Sequence, residues 1–340
     1  MKPVRCLFAM TLVACGAVET PPIAATSSVE QASVKKQGMQ MQGMQMQGMQ
    51  MQGMQMQGMN LGSVTLSGDT LRQVRVVRGE LVAMRGSNTV RGTQLIGAHL
   101  TAQVRDISVS PAASATVEYR ITDIDTEDDK YDPTDTGNTF LYTLEQFVPE
   151  DNAWKSACAA DDDGRRVAIP IAAIFDERGN RIESDTMFTF GCTTGVIAKC
   201  YRWGYRPWVT GYGDLAAMHW TCTRMARADY CGIGVSHTRN GTPINVWDRL
   251  PPPGPIQRHG LLAPLGMVFE AGWNTGGAVC MSTARWALDD GLALAQLCPS
   301  RLVPPGLLLP TVCDTVTAVL VFDPNARMFN ESNLTNLLDL

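Results

Sequence analysis

Past its first residues this 340-residue chain has no run of 18 uninterrupted apolar side chains, so it lacks the long hydrophobic stretch a membrane-crossing helix needs. The most apolar late stretch, LVPPGLLLP, is cut by Pro304, Pro305 and Pro310, and proline breaks helices. Basic charge is also short: 28 Lys and Arg face 33 Asp and Glu, a formal net charge of −5. Without a positive excess there is no electrostatic footprint for a phosphate backbone, which argues against nucleic acid as a partner. Histidine is rare, with four in all, and no CxxC or HxxxH pair occurs. The short ligand spacings of zinc sites are therefore missing, and no cofactor is expected.

What is present begins with the leader. Lys2 and Arg5 precede an apolar run from Cys6 to Val13, and Leu12-Val13-Ala14-Cys15 closes it. Charge, short apolar stretch and small residues in that order mark a secretory signal rather than a spanning helix. Leu-Val-Ala-Cys also resembles the lipobox of bacterial lipoproteins, which implies cleavage after Ala14 and acylation of Cys15. Gly16 in place of an aspartate implies, by the same resemblance, delivery to the outer membrane. Removing Lys2 and Arg5 leaves 26 basic residues against 33 acidic ones, a mature charge of about −7. The expected partner is the membrane, through the lipid; an envelope protein or glycan is left open.

Setting aside Cys6 and Cys15, eight cysteines remain: Cys158, Cys192, Cys200, Cys222, Cys231, Cys280, Cys298 and Cys313. An even set in an exported protein points to four disulfides, which spacing alone cannot pair.

Residues 16–36 (GAVETPPIAATSSVEQASVKK) have no apolar periodicity and read as a flexible tether. Residues 37–81 follow a five-residue frame that begins as QGMQM, with nine methionines from Met39 to Met59. Thioethers select Cu(I), so Met44, Met46 and Met49 are candidate ligands. One residue in five, however, gives Met41, Met46, Met51, Met56, Leu61, Leu66, Leu71, Val76 and Leu81. The period outlasts the methionine, and packing asks only for an apolar side chain. Such a frame resembles pentapeptide solenoids, in which short strands stack. A short solenoid leaning on the next domain and a floppy spacer both remain open, with copper capture a third reading.

From Val90 onward strand-like runs alternate with turn signals: Ser114–Ile121, Thr139–Leu144, Arg166–Ile174, Thr186–Phe190, Met267–Trp273 and Ala278–Ser282. Asn274-Thr275-Gly276-Gly277 predicts a hairpin, and Arg178-Gly179-Asn180 a turn. Leu215, Met218, Cys222 and Met225 fall on one helical stripe, with Asp214 as its cap and Gly232 beyond its end. A second short helix is expected over Thr194–Cys200. The fold class is mixed α+β with β dominant, stabilised by disulfides and preceded by the repeat.

Three blocks carry a resemblance. FTFGCTTGVIAKCYRWGYRPW (188–208), HWTCTRMARADYCGIGVSHTRNGTPINVWD (219–248) and FEAGWNTGGAVCMSTARW (269–286) are similar to the ADYC domain family, whose tetrapeptide stands here as Ala228-Asp229-Tyr230-Cys231. The resemblance covers roughly residues 91–302 and implies a bacterial exported or lipid-anchored protein; it implies no activity. Two departures stand out: Ile233 where the family often has an acid, and a proline insert from Pro251 to Pro255. If that acid served a ligand, this chain has lost it. The expected organisation is a signal over 1–14, a lipidated tether over 15–36, the repeat over 37–81, an ADYC-type domain over 88–303 and a C-terminal tail over 304–340. Leu334, Leu337 and Leu338 mark a short helix in that tail.

The second block admits three chemistries. Cys231 as nucleophile, His237 as base and Asp229 or Asp248 as orienter would make a hydrolase or transferase, with Ser236 a substitute nucleophile. That reading needs a free thiolate, whereas an exported cysteine in an even set is oxidised by default. Cys222 and Cys231 are nine residues apart, about 13 Å of rise along a helix, too far to bond each other. Each is expected to cross to another block, with Cys192, Cys200 and Cys280 as candidates. Zinc would use Cys222, Cys231, His219 and His237; His99 and His259 are isolated. Elsewhere, DIDTEDDKYDPTD (123–135) offers oxygen ligands for calcium. Its Lys130 and Thr136 break the EF-hand pattern, and a solvated loop is the simpler reading. YRWGYRPW (201–208) interleaves Arg202 and Arg206 with four rings, for internal stacking or for a glycan or peptide ligand.

Overall fold

The computed structural model describes residues 60–106, 113–127, 139–176, 178–238, 242, 244–250, 257–259, 267–285, 298 and 313–333. Cys15 with its leader, the tether, Met39 to Met59 with Met44, Met46 and Met49, acidic residues 128–135, the proline insert and Leu334 to Leu338 lie outside the described residues. No helix among the described residues is long and apolar enough to cross a membrane.

Along the chain the strands are β1 (Asn60–Leu66), β2 (Asp69–Val77), β3 (Glu80–Arg85), β4 (Asn88–Arg91), β5 (His99–Asp106), β6 (Ala113–Glu127), β7 (Thr139–Val148), β8 (Ala153–Ser156), β9 (Val167–Ile171), β10 (Ala173–Phe175), β11 (Arg181–Glu183) and β12 (Thr189–Cys192). Ten of them form one antiparallel sheet in the order β12-β9-β7-β6-β5-β1-β2-β3-β4, with β8 beside β9 on the outer edge of β7; β10 and β11 form a separate ribbon. Val64, Leu66, Leu71, Leu81, Leu100, Ile121 and Leu144 bury one face of this sheet in a common core.

The five-residue frame continues into this sheet, and there it does not build solenoid coils. Five is odd, and strand faces alternate with period two, so two frame residues in one strand can point inward together only if an extra residue is inserted. β2 has that residue. Its register jumps from Arg72↔Met84 to Arg75↔Val82, with Gln73 at φ +50°, and Leu71 and Val76 both turn to the core. β1 is irregular in the same way between Leu61 and Ser63. The frame over 61–81 therefore becomes bulged antiparallel hairpins, and these belong to the main sheet rather than to a segment preceding it.

The rest of the chain adds α1 (Val196–Arg202), α2 (Leu215–Ala226), β13 (Ile244–Asp248), β14 (Gln257–His259), β15 (Met267–Asn274), β16 (Gly277–Met281), α3 (Val316–Phe322) and β17 (Met328–Asn333). The Asp214 carboxylate caps α2 by accepting from the Ala217 N–H at 2.9 Å. β14-β13-β17-β15-β16 make a second antiparallel sheet. Residues expected as a C-terminal tail thus supply its middle strand.

Alternation along β17 separates the two faces of this sheet. Met328 joins a core with Met218 and Met225 of α2, Ile169 and Ile171 of β9 and Trp273, while Phe329 joins Val319 of α3. Helices α1 and α2 are thereby enclosed between the two sheets, and α3 covers the far side. At the other end of this core the Trp208 ring seats on the β2–β3 turn, where a Cβ on Gly79 would stand 2.6 Å from it.

Candidate functional site

The eight cysteines form four disulfides: Cys158–Cys192, Cys200–Cys222, Cys231–Cys298 and Cys280–Cys313, with Cα separations of 5.5–5.9 Å. Cys222 and Cys231 do not bond each other. Cys222 reaches Cys200 on α1, and Cys231 reaches Cys298, a partner that no motif or spacing marks. Four such bonds indicate an oxidising compartment, extracellular or periplasmic.

The ADYC tetrapeptide forms the corner at which α2 ends. Ala228 takes the left-handed conformation, φ +52°, that usually falls to glycine at a helix end. The fully buried Asp229 carboxylate then gathers the following loop, accepting from the Ile233 N–H at 3.1 Å and the Gly234 N–H at 3.0 Å. It also pairs with Arg224, one turn back on α2. Arg224 in turn donates to the Arg178 carbonyl, to Asn180 Oδ1 at 2.8 Å and to the Thr275 carbonyl at 3.2 Å. One guanidinium thus fastens the helix to the β10–β11 turn and to the β15–β16 hairpin.

Tyr230 points the other way. Its ring stacks on Trp273 at 5.2 Å, and its hydroxyl donates to Glu270 Oε1 at 2.9 Å while accepting the Arg285 N–H at 2.8 Å. Burial, reinforced by the Glu270 carboxylate, raises the phenol pKa well above its ordinary value and keeps it a donor. Arg285 holds Glu270 through two bonds of 3.0 Å. Its remaining hydrogens reach Thr238 Oγ1 at 2.9 Å and the Ala226 and Met225 carbonyls at 3.0 and 2.9 Å. These two carbonyls belong to the last turn of α2, where positive charge is favoured. Asn330 donates to Glu270 Oε2 and accepts from Trp273 Nε1, both at 2.7 Å. Arg285 and Glu270 are wholly buried; such a pair persists only when its lone pairs and hydrogens are met, as here.

The residues singled out in the sequence divide around this corner. The Cys231 sulfur, needed as a thiolate for nucleophilic catalysis, is bonded to Cys298. The His237 N–H donates to the Arg227 carbonyl at 3.1 Å, and its ring lies 5.8 Å from that of Tyr230. The Ser236 hydroxyl donates to the same carbonyl at 2.7 Å. Asp248 instead accepts from Tyr205 at 2.8 Å and from the Leu250 N–H at 3.1 Å. The zinc reading loses both sulfurs to disulfides. His219 is fully buried, with Nε2 on the Ile197 carbonyl at 3.0 Å, and burial followed by the Arg181 charge takes its pKa down to about 3. His99 packs edge-on against Trp154, and His259 lies on β14.

The aromatic run faces inward: Tyr201, Trp203 and Tyr205 are buried and Trp208 is half-buried. In the stretch considered for calcium, Glu127 accepts from Arg202 at 2.7 Å and from Arg165 at 2.5 Å. Burial would raise its pKa, but the two guanidinium groups hold it below the ordinary value. Sequence reasoning missed Arg224, Glu270, Arg285 and Asn330. The one visible signal was a lone glutamate inside the otherwise apolar strand MVFEAGWN.

No curated protein and no solved structure matches the chain. The profile of the ADYC domain matches residues 92–287, more than half of the chain, from the end of β4 to just past Arg285. That span contains all three similar blocks and every strand of the corner except β17. The chain belongs to the ADYC domain family.

Proposed function

We propose that this protein is held on the bacterial outer membrane, at its periplasmic face or at the cell surface, by an acylated Cys15, and that its disulfide-locked ADYC domain serves there as a rigid recognition or structural module. The observation that carries this reading is the condition of the corner: Asp229 is paired with Arg224, Tyr230, Glu270 and Arg285 are bonded to one another, and Cys231 is bonded to Cys298. Groups held in this way fix a shape. A catalytic cysteine needs a reactive thiolate in a partly exposed, electropositive setting, and Cys231 is half of a disulfide. The lipobox-like leader, the acidic mature charge and the four disulfides fit an envelope location.

Thiol titration of the mature exported protein tests this. Zero free thiols before reduction and eight after it, excluding the lipidated Cys15, is the expected count. A persistently free, fast-alkylating Cys231 would overturn the module reading in favour of an enzyme. Mass spectrometry of the N-terminal peptide checks the anchor, with a diacylglyceryl group on Cys15 as the expected result.

A further inference from the structure

The bulge in β2 also shapes the outer face of the main sheet. Arg72 pairs with Met84 and Arg75 with Val82, and Met84 and Val82 are two apart on β3, so they share a face. Their partners must share it too. Arg72 and Arg75, three apart in sequence, would point to opposite sides of a regular strand; the inserted Gln73 at φ +50° aligns them. Val77, two beyond Arg75, continues the same face and is 37% exposed. Arg78 follows at the turn with φ +51°, an unusual place for a long side chain.

Arg72, Arg75 and Arg78 are exposed and have no acidic partner among the described residues, whereas Arg85 pairs with Asp69 and Arg91 with Glu80. In a chain with a mature charge of about −7, three such arginines within seven residues, two brought to one face by the bulge and the third at the adjoining turn, form a distinct local feature beside an exposed valine. They lie at the N-terminal end of the described chain, the end nearer in sequence to Cys15.

We infer that this face docks on a bilayer surface rich in anionic phospholipid headgroups, orienting the domain on its membrane. The inference rests on the envelope reading above. Guanidinium groups match phosphate geometry, each basic residue adds to attraction at an anionic surface, and an adjacent apolar side chain can enter the interface.

The mature exported protein is mixed with vesicles of phosphatidylcholine, with or without phosphatidylglycerol. Vesicle flotation and amide hydrogen exchange are read on the same samples, together with the mass of the N-terminal peptide. Phosphatidylglycerol should slow exchange over residues 69–80, and added salt should reverse the effect. Replacing Arg72, Arg75 and Arg78 together by Ser should abolish the protection and, for protein without acyl chains, weaken flotation on the order of 100-fold. Replacing all three by Lys should preserve both.

Equal exchange in the two lipids, or protection that survives the Ser replacements, would overturn the proposal. So would equal protection by soluble polyphosphate at the same phosphate concentration, because the ligand would then not be a bilayer. Failure of the anchor reading is distinguishable: a chain without acyl groups that still floats only on anionic vesicles, through these arginines, supports the face and refutes the lipid.

Discussion

Between Asn60 and Ser156 the chain has no cysteine, and the only buried polar or charged residues described there are Glu80 and Thr139. From Ala157 onward there are four disulfides, and Arg202, Arg206, His219, Arg224, Asp229, Asp248, Glu270 and Arg285 are all buried. The first region is held by alternation, which asks for apolar side chains of suitable volume and tolerates exchange among them. The second is held by named partners, each of which leaves an unmatched group if removed. The domain thus joins a permissive sheet to a corner with little freedom, and the family's tetrapeptide lies in the corner.

Acid should separate the two regions most widely. The folded pKa of His219, about 3, lies below the ordinary imidazole value of 6.5. Below pH 6.5 the unfolded chain therefore binds a proton that the folded chain refuses. The stability from this group is complete above pH 6.5 and falls with pH by up to ~1.4 kcal/mol per unit until about pH 3. Carboxylates titrate in the same range, so the readout is the difference between the protein and its His219→Gln variant, which keeps a donor for the Ile197 carbonyl. Chemical denaturation across this range should show the shallower slope in the variant. Identical slopes would mean that His219 is not held neutral.

Arg285→Ala is expected to cost about 3–5 kcal/mol, because Glu270 would remain buried without its counter-charge. Leu100→Val on β5, equally buried, should cost about 1 kcal/mol. Denaturant midpoints at neutral pH compare the two, and similar losses would erase the contrast between the regions. Next in size, replacing Cys231 and Cys298 together by Ser opens the longest loop, with a sequence separation of 67, at a cost of about 2–4 kcal/mol. Hydrogen exchange should then rise first over residues 229–238 and leave β5 and β6 protected.

How far the sequence foretold this depends on whether an element is set locally. The helical stripe through Leu215, Met218, Cys222 and Met225 and the Asp214 cap are decided within a few residues, and both stand in α2. The Thr275-Gly276 hairpin is equally local. The partnership of Arg285 with Glu270 spans 15 residues and meets the end of α2 59 residues away, which no short pattern marks. β17 looked like tail because its place between β13 and β15 is decided by strands more than 50 residues upstream. In the five-residue frame the burial of Leu66, Leu71 and Leu81 was legible, whereas the bulges that reconcile an odd period with strand alternation were not. The corner's role was half legible: the even cysteine count indicated oxidation, but Cys298 carried no mark as the partner of Cys231.

Two glycines make the finest test. Gly68, in the β1–β2 turn, has φ +85° and open space where a side chain would go. Gly68→Ala should therefore cost only the left-handed strain of an L residue, about 1 kcal/mol. Gly232, two residues past Tyr230, has φ +68°, and a Cβ there would stand 1.7 Å from the Gly276 carbonyl oxygen. That oxygen is backbone in a hairpin tied to the corner by the Ala278 N–H bond to the Tyr230 carbonyl at 3.0 Å, so it cannot swing aside as a flexible side chain could. Gly232→Ala must separate two backbones as well as bear the same strain, and should lose at least twice as much as Gly68→Ala in paired denaturation curves. Equal losses would mean that the corner yields as readily as an open turn, and its rigidity could then not account for the buried charges around it.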